Sequence, residues 1–365
     1  MDFRTDLAHP RVASRDDWLA ERNKLPAEEK ELDIAITSTA GDPAPRSPGT
    51  AFLHPGPEKQ PAAVSPLIDE RNARRGGSAR GALCARATFP SALSIAHRFD
   101  GRSWRDVLCE AGFDVWGLDF YGFGYSDHYP EMDAPAEANP PLCVAEEAAA
   151  QLAAAASFIL EHQGLNSLSL IAHSWGSMAA GRFAGDHPAL VDRLVLFAPI
   201  ARRDPVCYSL RPNGPAWRVV SVEEQWARFV EDVPHDEAPV LSRVHFEDWG
   251  QRYLDSDPES RTRSPAGVKI PSGPFIEILR AWHGELAYEP SRVRAPVAIL
   301  RGAWDGLVTD PDARWLFDAF SHSSVKRDIK IGRGTHLMHL EAMRPALWGE
   351  TVTFLLGGDV APVPL

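Results

Sequence analysis

Cysteine is scarce in this chain. Its four residues, Cys84, Cys109, Cys143 and Cys207, show neither the paired spacing of a zinc site nor the density of a disulfide scaffold. A reducing, cytoplasmic compartment is the expectation, with no metal held. No apolar run approaches the roughly 20 residues of a membrane span, and the amino terminus carries charge where a secretory signal needs an apolar segment. Positive charge is short too: 38 Lys and Arg stand against 50 Asp and Glu, a net charge of −12. That excess of acid excludes a nucleic-acid partner and an anionic membrane surface, both of which need clustered cations. The expected partner is a small molecule, and nothing bears on the oligomeric state. No internal repeat is visible. At 365 residues and 44% hydrophobic, the chain can bury one large core, and a second independent domain is not required.

From residue 88 onward, apolar runs of strand length alternate with helix-like segments. Arg102 to Ala111 reads as a helix, Asp114 to Phe120 as a strand, and the alanine-rich stretch Ala145 to His162 as a strong helix. The strand at 168–173, the helix at Met178 to Ala184 and the strand at Arg193 to Ala198 continue the series. Pro296 to Arg301 and Ser324 to Ile331 read as later strands. Such alternation predicts an α/β fold with a doubly wound, mostly parallel sheet. Between Ile200 and Ala295 the alternation stops and aromatic residues accumulate, among them Trp217, Trp226, Phe246, Trp249 and Trp282. Short helices at Val222 to Val230 and Phe275 to Trp282 are expected to form a helical cap over residues 201–295, roofing an apolar pocket.

The nucleophile candidate is Ser174. It lies in Leu168-Ser-Leu-Ile-Ala-His-Ser-Trp-Gly176, where a strand ends in small-x-Ser-x-Gly, the spacing of a sharp strand-to-helix turn. Small residues are needed two places either side because the turn packs closely, and Ala172 and Gly176 supply them. Read by itself, the serine could equally cap the helix that follows. The downstream residues shift the balance. Asp305 follows the strand at 296–301 in the tight turn Gly302-Ala-Trp-Asp305-Gly-Leu, and His336 follows the strand at 324–331 in Gly332-Arg-Gly-Thr-His336. Serine, acid and histidine thus stand at three strand ends, where acyl transfer by a Ser-His-Asp triad needs them. Asp310 and Asp312 rival Asp305 but precede a helix at Ala313 to Phe320, where carboxylates favour the amino end. His339 rivals His336 from a helical turn three residues on.

Those motifs, together with Leu118-Asp119-Phe-Tyr-Gly122-Phe-Gly124-Tyr-Ser126, make the chain from about residue 88 to 358 similar to the α/β-hydrolase superfamily, in its branch of capped serine hydrolases. The resemblance implies that residues 88–200 and 296–358 form the core, and that Asp119 and Ser126 are structural. It implies a first oxyanion donor at Trp175, the residue after the nucleophile, and a second at Ala87 by position. There the family usually carries His-Gly-x and this chain reads Ala85-Arg86-Ala87-Thr88. A serine at the elbow argues against dehalogenase and epoxide hydrolase chemistry, in which relatives attack with a carboxylate. The implied activity is hydrolysis of an ester, thioester or lactone without a cofactor. Hydrolysis of a carbon–carbon bond with the same triad is the alternative, and a catalytically impaired binding protein of the same fold is the rival from another class.

The first 87 residues do not continue the pattern. Residues 11–32 read as a charged helix capped by Ser14, which resembles the N-terminal helix of a bacterial thioredoxin-like family without its cysteine motif. Residues 1–40 are taken as an appendage. Seven prolines fall within 41–66, and Arg71, Arg74, Arg75, Arg80 and Arg86 follow among glycines, so 41–87 reads as an irregular segment, with the opening strands missing or degenerate. A second reading exists: codons for Gly81–Arg86 can be chosen that, read one base later, spell Val-Leu-Cys-Ala-His-Gly. On that reading 41–86 is a frame-shifted translation of an ordinary opening half.

Overall fold

The computed structural model describes residues 34–38, 49–53, 63–67, 80–86, 88–204 and 212–357. Its strands, in chain order, are β1 (Ile34–Ser38), β2 (Gly49–Leu53), β3 (Ala63–Leu67), β4 (Arg80–Arg86), β5 (Phe113–Asp119), β6 (Leu168–His173), β7 (Val191–Phe197), β8 (Trp217–Ser221), β9 (Gly267–Pro271), β10 (Val297–Gly302) and β11 (Lys326–Ile331). Seven of them form one sheet in the order β11-β10-β7-β6-β4-β5-β3. Every pairing in it is parallel except that of edge strand β3, which runs antiparallel to β5.

Central strands buried on both faces lose polar alternation, and β6 and β10 are buried at every position. Side chains still alternate between the two faces. Leu194, Leu196, Val297 and Ile299 join the core cluster under α2 (Ala145–Gln163) and α3 (Gly176–Asp186). Val195, Phe197, Ala298 and Leu300 join the opposite cluster, with α1 (Trp104–Glu110) and α8 (Arg344–Leu355). Helix α7 (Asp310–Ala319) links β10 to β11. Between β7 and β10 the chain leaves the sheet and builds the antiparallel pair β8–β9 with helices α4 (Val222–Val230), α5 (Arg243–Leu254) and α6 (Gly273–Trp282).

Two expectations are corrected. Residues 41–87 are not wholly irregular, because 49–53 pair with 34–38 and both 63–67 and 80–86 enter the main sheet. The central strand among them, β4, was hidden by its flanks: between Arg80 and Arg86 the buried run is only Gly81, Ala82, Leu83, Cys84 and Ala85, short and small-sided. Proline in β3 suits its place at the sheet edge, where a missing backbone donor costs no central ladder bond. The insertion, expected to be helical, also contains the antiparallel strand pair β8–β9. Its alternating Val219 and Ser221, and Val268 and Ile270, are too few to outweigh the surrounding aromatic signal. The helix expected at 11–32 and the donor expected at Ala87 lie outside the described residues.

Candidate active site

Strand β6 delivers Ser174 in a left-handed conformation, φ +55°, from which α3 departs two residues later. A non-glycine residue pays for that conformation, and it is held by the Ser174 N–H donating to the Phe197 carbonyl at 3.0 Å. Ala172, two residues before it, is fully buried. Trp175 follows at the open amino end of α3, where backbone N–H groups lack intrahelical acceptors.

The turn that carries Asp305 and the loop that carries His336 are built against each other. A Cβ on Gly302 would collide with the Gly334 carbonyl, and the Trp304 N–H donates to that same carbonyl at 2.9 Å. This close approach brings Asp305 and His336 together, both buried. The His336 Nδ1 lies 3.1 Å from each carboxylate oxygen of Asp305, and its Nε2 lies 2.8 Å from the Ser174 hydroxyl oxygen. Asp305 Oδ1 also accepts from the Leu307 and Val308 N–H groups at 2.9 and 3.1 Å, which fixes the carboxylate plane. A carboxylate can only accept, so Nδ1 carries the ring proton and Nε2 is left with a lone pair facing the serine O–H.

The rival acids and base sit elsewhere. Asp310 pairs with Arg301 and Lys330, whose hydrogen bonds hold its carboxyl down to about 2. Asp312 accepts from Thr309 at the start of α7 and pairs with Arg203. His339 is buried among Phe89, Trp104, His173 and Phe197. Asp119 is structural: its oxygens accept from the N–H groups of Ser91 and Tyr125, and its carbonyl accepts from the Ser126 hydroxyl. It thereby ties the loop after β4 to the exit of β5.

Three further residues brace the site without having been singled out from spacing. His173, next to the serine, donates from Nε2 to the His336 carbonyl at 2.8 Å, linking the turn at Ser174 to the His336 loop. Glu341 accepts the Thr335 hydroxyl at 2.7 Å inside that loop, and burial pushes its carboxyl up to about 8. Glu277 reaches in from α6: one of its oxygens accepts both the Trp175 indole N–H at 2.7 Å and the Ala145 N–H at 2.8 Å. Burial raises its carboxyl above the usual range. His173 stood inside the elbow motif; nothing in sequence separation, 102 and 132 residues, marked Glu277.

A family model described as the alpha/beta hydrolase fold matches residues 100–342. The chain belongs to the α/β-hydrolase fold family. One solved structure agrees on the fold. A carboxylesterase of Nitrososphaera gargenis matches at TM-score 0.51 and 11% identity, over 82% of this chain and 96% of its own. A monoacylglycerol lipase of Paleococcus ferrophilus matches at 0.48 and 19%, over 76% and 95%. An esterase of Thermogutta terrifontis matches at 0.48 and 17%, over 89% and 97%. No curated protein matches. Among the described residues of this α/β-hydrolase-fold chain, no cluster of ligands suited to a metal occurs, and no helix is long and apolar enough to cross a membrane.

Proposed function

We propose that the chain is a serine hydrolase that cleaves a carboxylic ester, thioester or lactone, with Ser174 as nucleophile, His336 as general base and Asp305 as the acid that orients it. One observation carries the reading: the Ser174 hydroxyl, both ring nitrogens of His336 and the Asp305 carboxylate form a continuous hydrogen-bonded line. Along that line His336 takes the serine proton as Oγ attacks the acyl carbon, and the buried Asp305 stabilises the imidazolium that results. The oxyanion is held by the Trp175 N–H and, by position, the Ala87 N–H. His336 returns the proton to the leaving group, and water, deprotonated by the same imidazole, then releases the acyl group from Ser174. No cofactor takes part in these steps. The insertion serves as the cap, and its aromatic interior excludes water from the acyl-enzyme.

A fluorophosphonate probe tests this directly. It is expected to label the native protein and not Ser174→Ala, and Ser174→Ala is expected to lose about 10³-fold or more of the hydrolysis of short-chain p-nitrophenyl esters. Labelling that persists in Ser174→Ala, or a folded native protein that neither labels nor hydrolyses, overturns the proposal.

A further inference from the structure

Beyond α4 the insertion lays residues 231–242 along the loop that carries His336. The two are fastened on both sides of the histidine: Glu237 pairs with Arg333 at 3.1 Å, and the Ala342 N–H donates to the Val240 carbonyl at 2.8 Å. Asp232, from the same stretch, stands against Gly306, the residue after Asp305. Its Oδ1 lies 2.6 Å from where a Cβ on Gly306 would stand, and among the described residues, chain neighbours aside, only Asp232 comes within 4 Å of that position. The N–H groups of Gly306 and of His336 both face its carboxylate. A half-buried side chain of the insertion thus meets the backbone at both ends of the Asp305–His336 contact.

This is a costly place for a carboxylate. Burial raises the Asp232 carboxyl and the Asp305 charge adds to it, against the Gly306 N–H and the ring and N–H of His336. Among the described residues its Oδ2 is buried and accepts no hydrogen bond. Other acids crowd the same region: Glu231 beside it, raised by burial first and by Asp232 next, and Glu341 in the His336 loop itself. Like charges so placed repel, and for stability alone a neutral side chain of the same shape would serve better. What the acid supplies is an acceptor for two N–H groups and a charge attracted to the imidazolium form of His336.

We propose that Asp232 is a positioning residue for the triad: its carboxylate holds Gly306 and His336 so that Asp305 and the imidazole stay aligned. The insertion is then a working part of the site as well as its roof. This deepens the serine-hydrolase reading and rests on it for the effect on rate.

Two routes displace the carboxylate. Asp232→Asn keeps the shape and one accepting oxygen, and Asp232→Ala removes both. Gly306→Ala leaves the acid but pushes it aside, since the new methyl would meet only the end of that side chain and Gly306 needs no left-handed backbone. On short-chain p-nitrophenyl esters, Asp232→Ala and Gly306→Ala are each expected to lower kcat by about tenfold to a hundredfold, and Asp232→Asn by less, with KM changed by no more than about twofold. The Tm of Asp232→Asn is expected to match or exceed the native value. Adding Gly306→Ala to Asp232→Ala is expected to cost nothing further, because the methyl then displaces no group. A native kcat in Asp232→Ala overturns the role, as do losses that multiply in the double variant, or an Asp232→Asn that loses Tm while keeping kcat. Where Asp232→Ala does not fold, Gly306→Ala carries the test. Alignment is also read without turnover, from the far-downfield proton resonance of the His336 Nδ1–H, identified by its absence in His336→Gln. It is expected to be lost or moved upfield in Asp232→Ala, and a resonance that stays in place overturns the role even in an active enzyme. A native protein that neither labels nor hydrolyses, but whose resonance responds in this way, overturns the hydrolase reading and leaves the positioning role standing.

Discussion

Glu341 shows how one buried group near the site sets a pH dependence. Its carboxyl, ordinarily near 4.5, is pushed up to about 8 by burial first, with the charges of Asp232 and Asp305 adding and the Thr335 hydrogen bonds opposing. The folded chain therefore binds this proton more tightly than the unfolded one. Below about 4.5 the group is neutral in both states and costs nothing; as pH rises towards about 8 it ionises only in the unfolded chain, and stability falls. Glu341→Gln keeps an oxygen for the Thr335 hydroxyl and removes the titration. The variant is expected to gain on the native protein between pH 5 and pH 8, by on the order of a few kcal/mol. Melting curves across that range check it, and a difference independent of pH would show that Glu341 does not titrate there. Ser174 bears a cost of another kind: a φ of +55° is tolerated because the Phe197 carbonyl and the start of α3 hold it on both sides.

Among the elements, α6 has the most direct hold on the elbow. Helix α2 begins with Val144 at its cap position, and no side chain there accepts an orphan N–H; Glu277 from α6 accepts that of Ala145 in its place. The same oxygen holds the Trp175 indole, so one carboxylate fastens the insertion to the start of α2 and to the residue after Ser174. Trp249 on α5 makes a second fastening. Its ring packs edge-on against Phe89 and its Nε1 donates to the Leu93 carbonyl at 3.3 Å, in the segment that follows β4. Glu277→Ala leaves two buried donors without an acceptor and is expected to cost about 1–3 kcal/mol, or more if the charge assists both bonds. Glu277→Gln, which keeps an accepting oxygen, is expected to cost less. Urea unfolding of the two variants decides it; equal losses would mean that the carboxylate's charge, and not its role as acceptor, is what matters.

At the scale of the molecule, the opening strands close the sheet. Edge strand β3 covers the outer side of β5 through the register Ala63↔Asp119 to Leu67↔Val115. A chain beginning at residue 80 uncovers that row of backbone donors and acceptors, and association through the bare edge is expected. Size-exclusion chromatography and light scattering of the shortened protein check this; a monodisperse monomer would show that β3 is dispensable.

Much of this was legible along the chain. Runs such as 297–300 are apolar because helices cover both sheet faces, so their burial is written into composition, and Ser174, Asp305 and His336 stood at strand ends that the alternation had already marked. The five small residues of Gly81–Ala85 carried too little signal beside their arginines, and β4 became visible only by pairing with β5 and β6. Local pattern determines which segments can be strand or helix, and which side chains a sharp turn can present, because those depend on near neighbours. Only the tertiary structure decided that His336 reaches Ser174 at 2.8 Å and that Glu277 crosses from α6 to Trp175. Those are contacts between residues distant in the chain, fixed by how the layers pack, and no periodicity along the sequence encodes them.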